Sequence, residues 1–102
     1  MTASLGVWAE GPAPNGFLYR WEADQGAGGS GFVILDQVSW RFRPADRAGK
    51  PLGDIVVDVV GGEVTGSTDG VDRAVVVKVA ASIRRAYQRS GVLPETAHAH
   101  FY

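Results

Sequence analysis

The sequence predicts an α+β domain: an antiparallel β-sheet of about four to six strands, with one long amphipathic helix in the second half of the chain packed on one face. Three observations carry this. Short segments of alternating or continuous apolar residues recur through the first two thirds of the chain, separated by Gly- and Pro-containing turns. A single stretch, Asp69–Gly91, follows helical rather than strand periodicity. At 102 residues the chain is large enough for one hydrophobic core but not two, so residues 1–102 read as a single domain.

Taken in order, residues 1–16 are rich in Gly, Pro, Ala and Asn and read as a partly mobile lead-in arm, with Trp8 placed to tack it to the body. Phe17–Ala23 reads as a strand, with Phe17, Tyr19 and Trp21 alternating against Leu18, Arg20 and Glu22. Asp24–Gly31 is a glycine-rich turn. Phe32–Arg43 is apolar and aromatic enough for one long bent strand or two short ones, and in its second half Trp40 and Phe42 alternate with Arg41 and Arg43. Pro44–Gly53 is a polar loop. Asp54–Val60 is the strongest strand pattern, followed by a two-residue hairpin signal at Gly61-Gly62 and a short return strand, Glu63–Thr65.

Asp69–Gly91 then reads as the helix. Asp69 suits the N-cap and Asp72 stands three residues on, where the helix dipole favours negative charge. Gly91 suits the left-handed position after the last turn, Val92 is placed to pack back on Tyr87, and Pro94 stops continuation. At 100° per residue, Val75, Val76, Val79, Ala80, Ile83, Ala86 and Tyr87 share an arc of about 140°. The β-branched run within Ala74–Val79 favours a strand, so a shorter helix beginning at Ala80 is the rival reading. Thr96–Tyr102, alternating Ala97, Ala99 and Phe101 against His98, His100 and Tyr102, closes the chain as a final strand.

Charge is unevenly distributed. The net charge is −1, but residues 73–89 hold five of the ten Lys and Arg and no acid. Arg73, Lys78, Arg84, Arg85 and Arg89 therefore form a positive face, readable as solubilising or as a surface for an acidic partner. Tyr19, Trp21, Trp40 and Phe42 are expected on adjacent strands facing the helix. On the open sheet face, Trp40 and Phe42 would instead mark a binding surface.

The motifs that carry chemistry are weak. Gly26, Gly28 and Gly31 have the spacing G-x-G-x-x-G, but run into strand-like Phe32–Leu35 instead of a helix, so a hairpin loop is expected and no dinucleotide site. His98 and His100 share a strand face but lack a third ligand at any fixed spacing, so no metal is expected. Asp54 and Asp58 would stand about 13 Å apart along a strand, too far for a carboxylate dyad. Gly66–Gly70 could present amides to an anion, but Asp69 itself fills that place. No serine sits in a nucleophile elbow. In Trp40–Arg43 rings and guanidiniums point to opposite faces, so nucleic acid is not the expected partner.

The expected function is a small non-enzymatic protein-binding module, regulatory or immunity-like, acting on a protein partner or a second copy of itself. No catalytic residue, cofactor or metal is assigned, and the partner-binding candidates are Arg73, Lys78, Arg84, Arg85, Arg89, Trp40 and Phe42. The alternative is a ligand-binding or catalytic domain using a sheet cavity with Tyr19, Arg41 and His98. With no cysteine, no basic-then-apolar leader and no apolar run near 20 residues, a cytoplasmic protein without a membrane span is expected.

Overall fold

The computed structural model describes residues 3–24, 28–66 and 73–101, with side chains described for all of these but residues 3 and 98–101. Its elements are β1 (Ala3–Ala13), β2 (Gly16–Ala23), β3 (Ser30–Asp36), β4 (Arg41–Ala45), β5 (Val56–Asp58), β6 (Glu63–Thr65), α1 (Arg73–Ser90) and β7 (Thr96–Phe101). The strands form one seven-stranded antiparallel sheet in the order β6-β5-β4-β3-β2-β1-β7. The first six make a meander, and α1 carries the chain back across one face so that β7 pairs beside β1. The arrangement is α+β, with more strands than the four to six expected.

The additional strand is β1. Residues expected to form a lead-in arm are an interior strand, paired with β2 from Leu5↔Ala23 to Ala13↔Gly16 and with β7 from Ala3↔Phe101 to Trp8↔Thr96. Its inward alternation, Leu5 and Val7, is masked in the sequence by Ala, Gly and Pro. A bulge between Ala9 and Gly11 breaks the period, and Pro12 lies beyond the stretch paired to β7, where its missing N–H costs no hydrogen bond to that strand. Phe32–Arg43 divides into β3 and β4 around a turn whose amides at Val38 and Ser39 donate to the Asp36 carboxylate.

β5 is shorter than expected, because Asp54 precedes it and Val59 and Val60 belong to the turn. That turn has four residues, Val59–Gly62, rather than the two glycines. The Asp58 carboxylate accepts from the amides of Val60 and Gly61, and the Gly62 amide donates to the Asp58 carbonyl. A side chain that satisfies its own turn makes the longer loop stable.

Ala74–Val79 is helical, so periodicity prevailed over β-branching. Val76, Val79, Ala80 and Ile83 are buried, as is Ser82, whose hydroxyl donates to the Lys78 carbonyl. Each buried large side chain contributes roughly 1.5–3 kcal/mol. The helix ends at Gly91, with φ of 77° and its amide donating to the Tyr87 carbonyl at 2.7 Å. Val92 does not pack back: it is 65% exposed, and Leu93 reaches the core instead. Asp69, Asp72 and the other residues of 67–72 lie outside the described residues, as do Gln25, Gly26 and Ala27 of the glycine-rich loop.

The main core lies between α1 and the sheet, where Leu5, Val7, Tyr19, Val33, Leu35, Phe42, Ile55 and Val57 meet the helix stripe. All four aromatics expected on one side are on this side, though not on adjacent strands: β3 separates Tyr19 and Trp21 from Phe42, and Trp40 sits in the β3–β4 turn. Phe42 is fully buried, which removes it from the surface and corrects its assignment to a partner-binding site. The opposite face holds a smaller cluster, Leu18, Ile34 and Ala45 with Ala13 and Phe32. Pro44 and Ala45, expected to begin a loop, belong to β4, and the loop of residues 46–53 folds back onto this cluster, so closely that a Cβ at Gly49 would stand 2.9 Å from that of Ala13.

Candidate functional site

The helix-side surface carries an open groove of about 320 Å³ where α1 overhangs the β5–β6 hairpin. Its floor is mainly aliphatic: Val57, Val59 and Val64 from the hairpin, where Asp58 and Gly62 also line it, and Val77 and Ala81 from α1. Its rim on the helix is Arg84, Arg85 and Gln88. The helical period explains the composition, since residues 77, 81, 84, 85 and 88 recur on the flank between the buried stripe and solvent.

Arg84 is held in place by aromatic stacking. Its guanidinium lies 4.5 Å from the centre of the Trp40 ring and 5.7 Å from that of Tyr87, and the two rings are 4.6 Å apart. Trp40 is half-buried, has a left-handed φ of 56°, and donates its amide to the Asp36 carbonyl. Such a φ costs roughly 1–2 kcal/mol for a residue with a side chain, and the ring's contacts with Tyr87, Phe42 and Arg84 offset it.

The predicted basic residues separate into distinct roles. Arg84 and Arg85 line the groove. Arg89 and Lys78 are exposed on the same helix, outside the groove lining. Arg73 points to the sheet edge and donates to the Val64 carbonyl at 2.7 Å. Arg85 and Arg89 form no ion pair among the described residues.

A larger concavity, about 640 Å³, lies on the opposite sheet face beside Leu18, Phe32, Arg20, Glu10 and Arg47. Arg20 is already committed there: it donates to Glu22 at 2.7 Å, faces Glu10 at 3.5 Å, and stacks 4.4 Å from the Trp8 ring centre. Trp8 itself covers Gly6, where a Cβ would stand 2.6 Å from the indole. The local charges on that face largely cancel.

Tyr19 and Arg41 lie on opposite faces of the sheet and do not form a site together. The Tyr19 hydroxyl donates to the Pro94 carbonyl on the helix side at 2.9 Å, and burial raises its pKa to about 12. Arg41 lies on the other face, 3.8 Å from Asp58. The pKa of Asp58 is lowered, chiefly by the hydrogen bond from the Gly61 amide, which outweighs the opposing effect of burial, with the Val60 amide and Arg41 lowering it further. Arg43 donates to the Gly53 carbonyl at 2.9 Å. His98 and His100 stand opposite Gly6 and Ser4 in register; their side chains lie outside the described residues. Among the described residues no helix is long and apolar enough to cross a membrane, and no three His, Asp or Glu side chains cluster as a metal site.

Sequence reasoning missed the hairpin half of the groove, Val59 and Val64, because nothing local pairs residue 64 with residue 77. The one available signal was Val77, an apolar residue on the cationic side of the helix. Comparisons with protein-family models, curated proteins and solved structures find no match.

Proposed function

We propose that this chain is a small non-enzymatic protein-binding module, regulatory or immunity-like, whose partner meets the basic face of α1. The observation that carries this reading is the coincidence of Arg84 and Arg85 with an aliphatic-floored groove, on a helix with no acidic residue from 73 to 90. Guanidiniums with no ion pair among the described residues, set beside apolar surface, favour an acidic protein surface, because the arginines supply steering and bidentate hydrogen bonds while the valines supply burial. The cysteine-free sequence suits a reducing compartment, and the cytoplasm is the proposed setting.

The test is site-specific photo-crosslinking in the cell of origin, with a photoreactive residue at position 85 on the helix and, as control, at position 47 on the opposite face. A defined heterologous protein crosslinked from position 85 and not from 47 supports the proposal. No adduct from position 85, or adducts equal from both faces, overturns it. A self-adduct alone reassigns the surface to a homodimer.

A further inference from the structure

We infer that the groove between α1 and the β5–β6 hairpin takes an acidic peptide segment of the partner that inserts an aliphatic side chain, and that this segment is read by its side chains and not by strand addition at β6. The inference rests on the protein-binding reading and adds the chemistry of the occupant.

Four features point to that occupant. The floor is formed by valines from both elements, and about 320 Å³ is at the small end of the range for ligand pockets, which suits a side chain or two rather than a folded element. Both rim charges on the helix are arginines. Arg84 is pre-positioned by Trp40 and Tyr87, so little rotamer freedom remains to be lost on binding a carboxylate. Asp58 also lines the groove on the hairpin side, but its carboxylate accepts from the amides of Val60 and Gly61 and stands 3.8 Å from Arg41 on the other face, so it is turned toward its own turn and Arg41. Glu63 is exposed and one residue out of phase with the groove-lining Val64, so it belongs to the opposite side of β6.

The edge strand itself is blunted. β6 has only three residues, and the carbonyl of its central residue, Val64, is taken by the Arg73 guanidinium. An incoming strand would have to displace a charge-assisted hydrogen bond to gain one peptide pairing. Arg73 is thereby an edge cap, and the peptide's recognition falls to Arg84, Arg85 and the valine floor.

The experiment is a titration of the intact chain, ¹³C-labelled at valine methyls, with a short peptide in which one Leu is flanked by Glu residues. An all-Glu peptide of the same length and sodium isovalerate are the comparisons. Saturable shifts are expected at Val59, Val64 and Val77, with the all-Glu peptide bound at least about tenfold more weakly for want of a buried leucine. Arg85→Glu and the groove-filling Ala81→Leu should each abolish these shifts, whereas Arg47→Glu, on the opposite face, should leave them intact. Both helix positions are exposed, so the variants are expected to fold. Equal affinity for the all-Glu peptide, tighter binding of isovalerate than of the peptide, or absence of shifts at the three valines overturns the inference. If the Leu-containing peptide perturbs only the neighbourhood of Lys78 and Arg89, the groove is refuted while the crosslinking result from position 85 still decides the protein-binding reading.

Discussion

The hydroxyl of Tyr19 donates to the carbonyl oxygen of Pro94 at 2.9 Å, tying a central strand of the sheet to the linker between α1 and β7. The ring of Tyr19 is fully buried, and this part-buried bond joins the main core to a segment 75 residues away. Tyr19→Phe is expected to lower stability by about 1 kcal/mol, the net worth of a hydrogen bond whose acceptor loses its partner. For a domain of this size, that is a fall in Tm of about 4–8 °C by calorimetry.

Burial of the same hydroxyl predicts a dependence on pH. The folded pKa of Tyr19 is raised to about 12, from an unfolded value of 10.0. Above pH 10 the unfolded chain releases this proton while the folded chain retains it, so stability present below pH 10 is lost progressively as pH rises toward 12. Denaturant melts between these values should show a shallower decline in Tyr19→Phe than in the parent, and parallel slopes would refute the assignment.

Asp58 works in the opposite direction. Its pKa is depressed by amide donors and Arg41, so its contribution is present above the ordinary carboxylate pKa and lost as pH falls through the lowered folded value. Asp58→Asn should therefore reduce the acid sensitivity of unfolding measured below about pH 4. An unchanged acid limb would count against the turn geometry.

Trp40 combines a left-handed backbone with ring contacts to Tyr87 and Arg84. Trp40→Ala loses the ring and keeps the unfavourable φ, with an expected cost of about 2–4 kcal/mol. Trp40→Gly loses the same ring but relieves the backbone, and is expected to be more stable than the Ala variant by about 1 kcal/mol. Urea unfolding of the pair reads this inversion of the usual Ala-over-Gly order directly.

Two glycines should respond unequally to Ala. At Gly91 nothing lies within 4 Å of an added Cβ, so the cost is that of a left-handed Ala alone, about 1 kcal/mol. At Gly16 an added Cβ runs into the backbone carbonyl of Leu35, so the β2–β3 pairing must shift as well. Thermal melts should place the Gly16→Ala variant well below the Gly91→Ala variant.

Arg73→Ala separates edge capping from partner recognition. It removes an exposed hydrogen bond to Val64, with an expected loss of about 0.5–1.5 kcal/mol, and leaves peptide affinity at the groove unchanged. A large loss of affinity in this variant would return Arg73 to the binding surface.

The sequence by itself determined what depends on local periodicity and end chemistry. The inward stripe Val76, Val79, Ala80 and Ile83 follows from a 3.6-residue repeat, Gly91 from the need for positive φ after the last turn, and β2 from strict alternation at Phe17–Ala23. Those signals are carried by neighbours in the chain. They also marked Arg85 as an exposed cation, whereas Arg84 on the same face is half-buried against Trp40.

Only the tertiary structure decided what depends on which distant segments pair. β1 is a strand because β2 and β7 flank it and bury Leu5 and Val7, a stabilisation that its Gly, Ala and Pro content does not announce. Phe42 is core because β4 lies beneath α1, and Arg73 is an edge cap because the chain brings it beside Val64. The groove needs both Val64 and Val77, and their meeting is a matter of topology, of which Val77 on the cationic side of the helix is the one local trace.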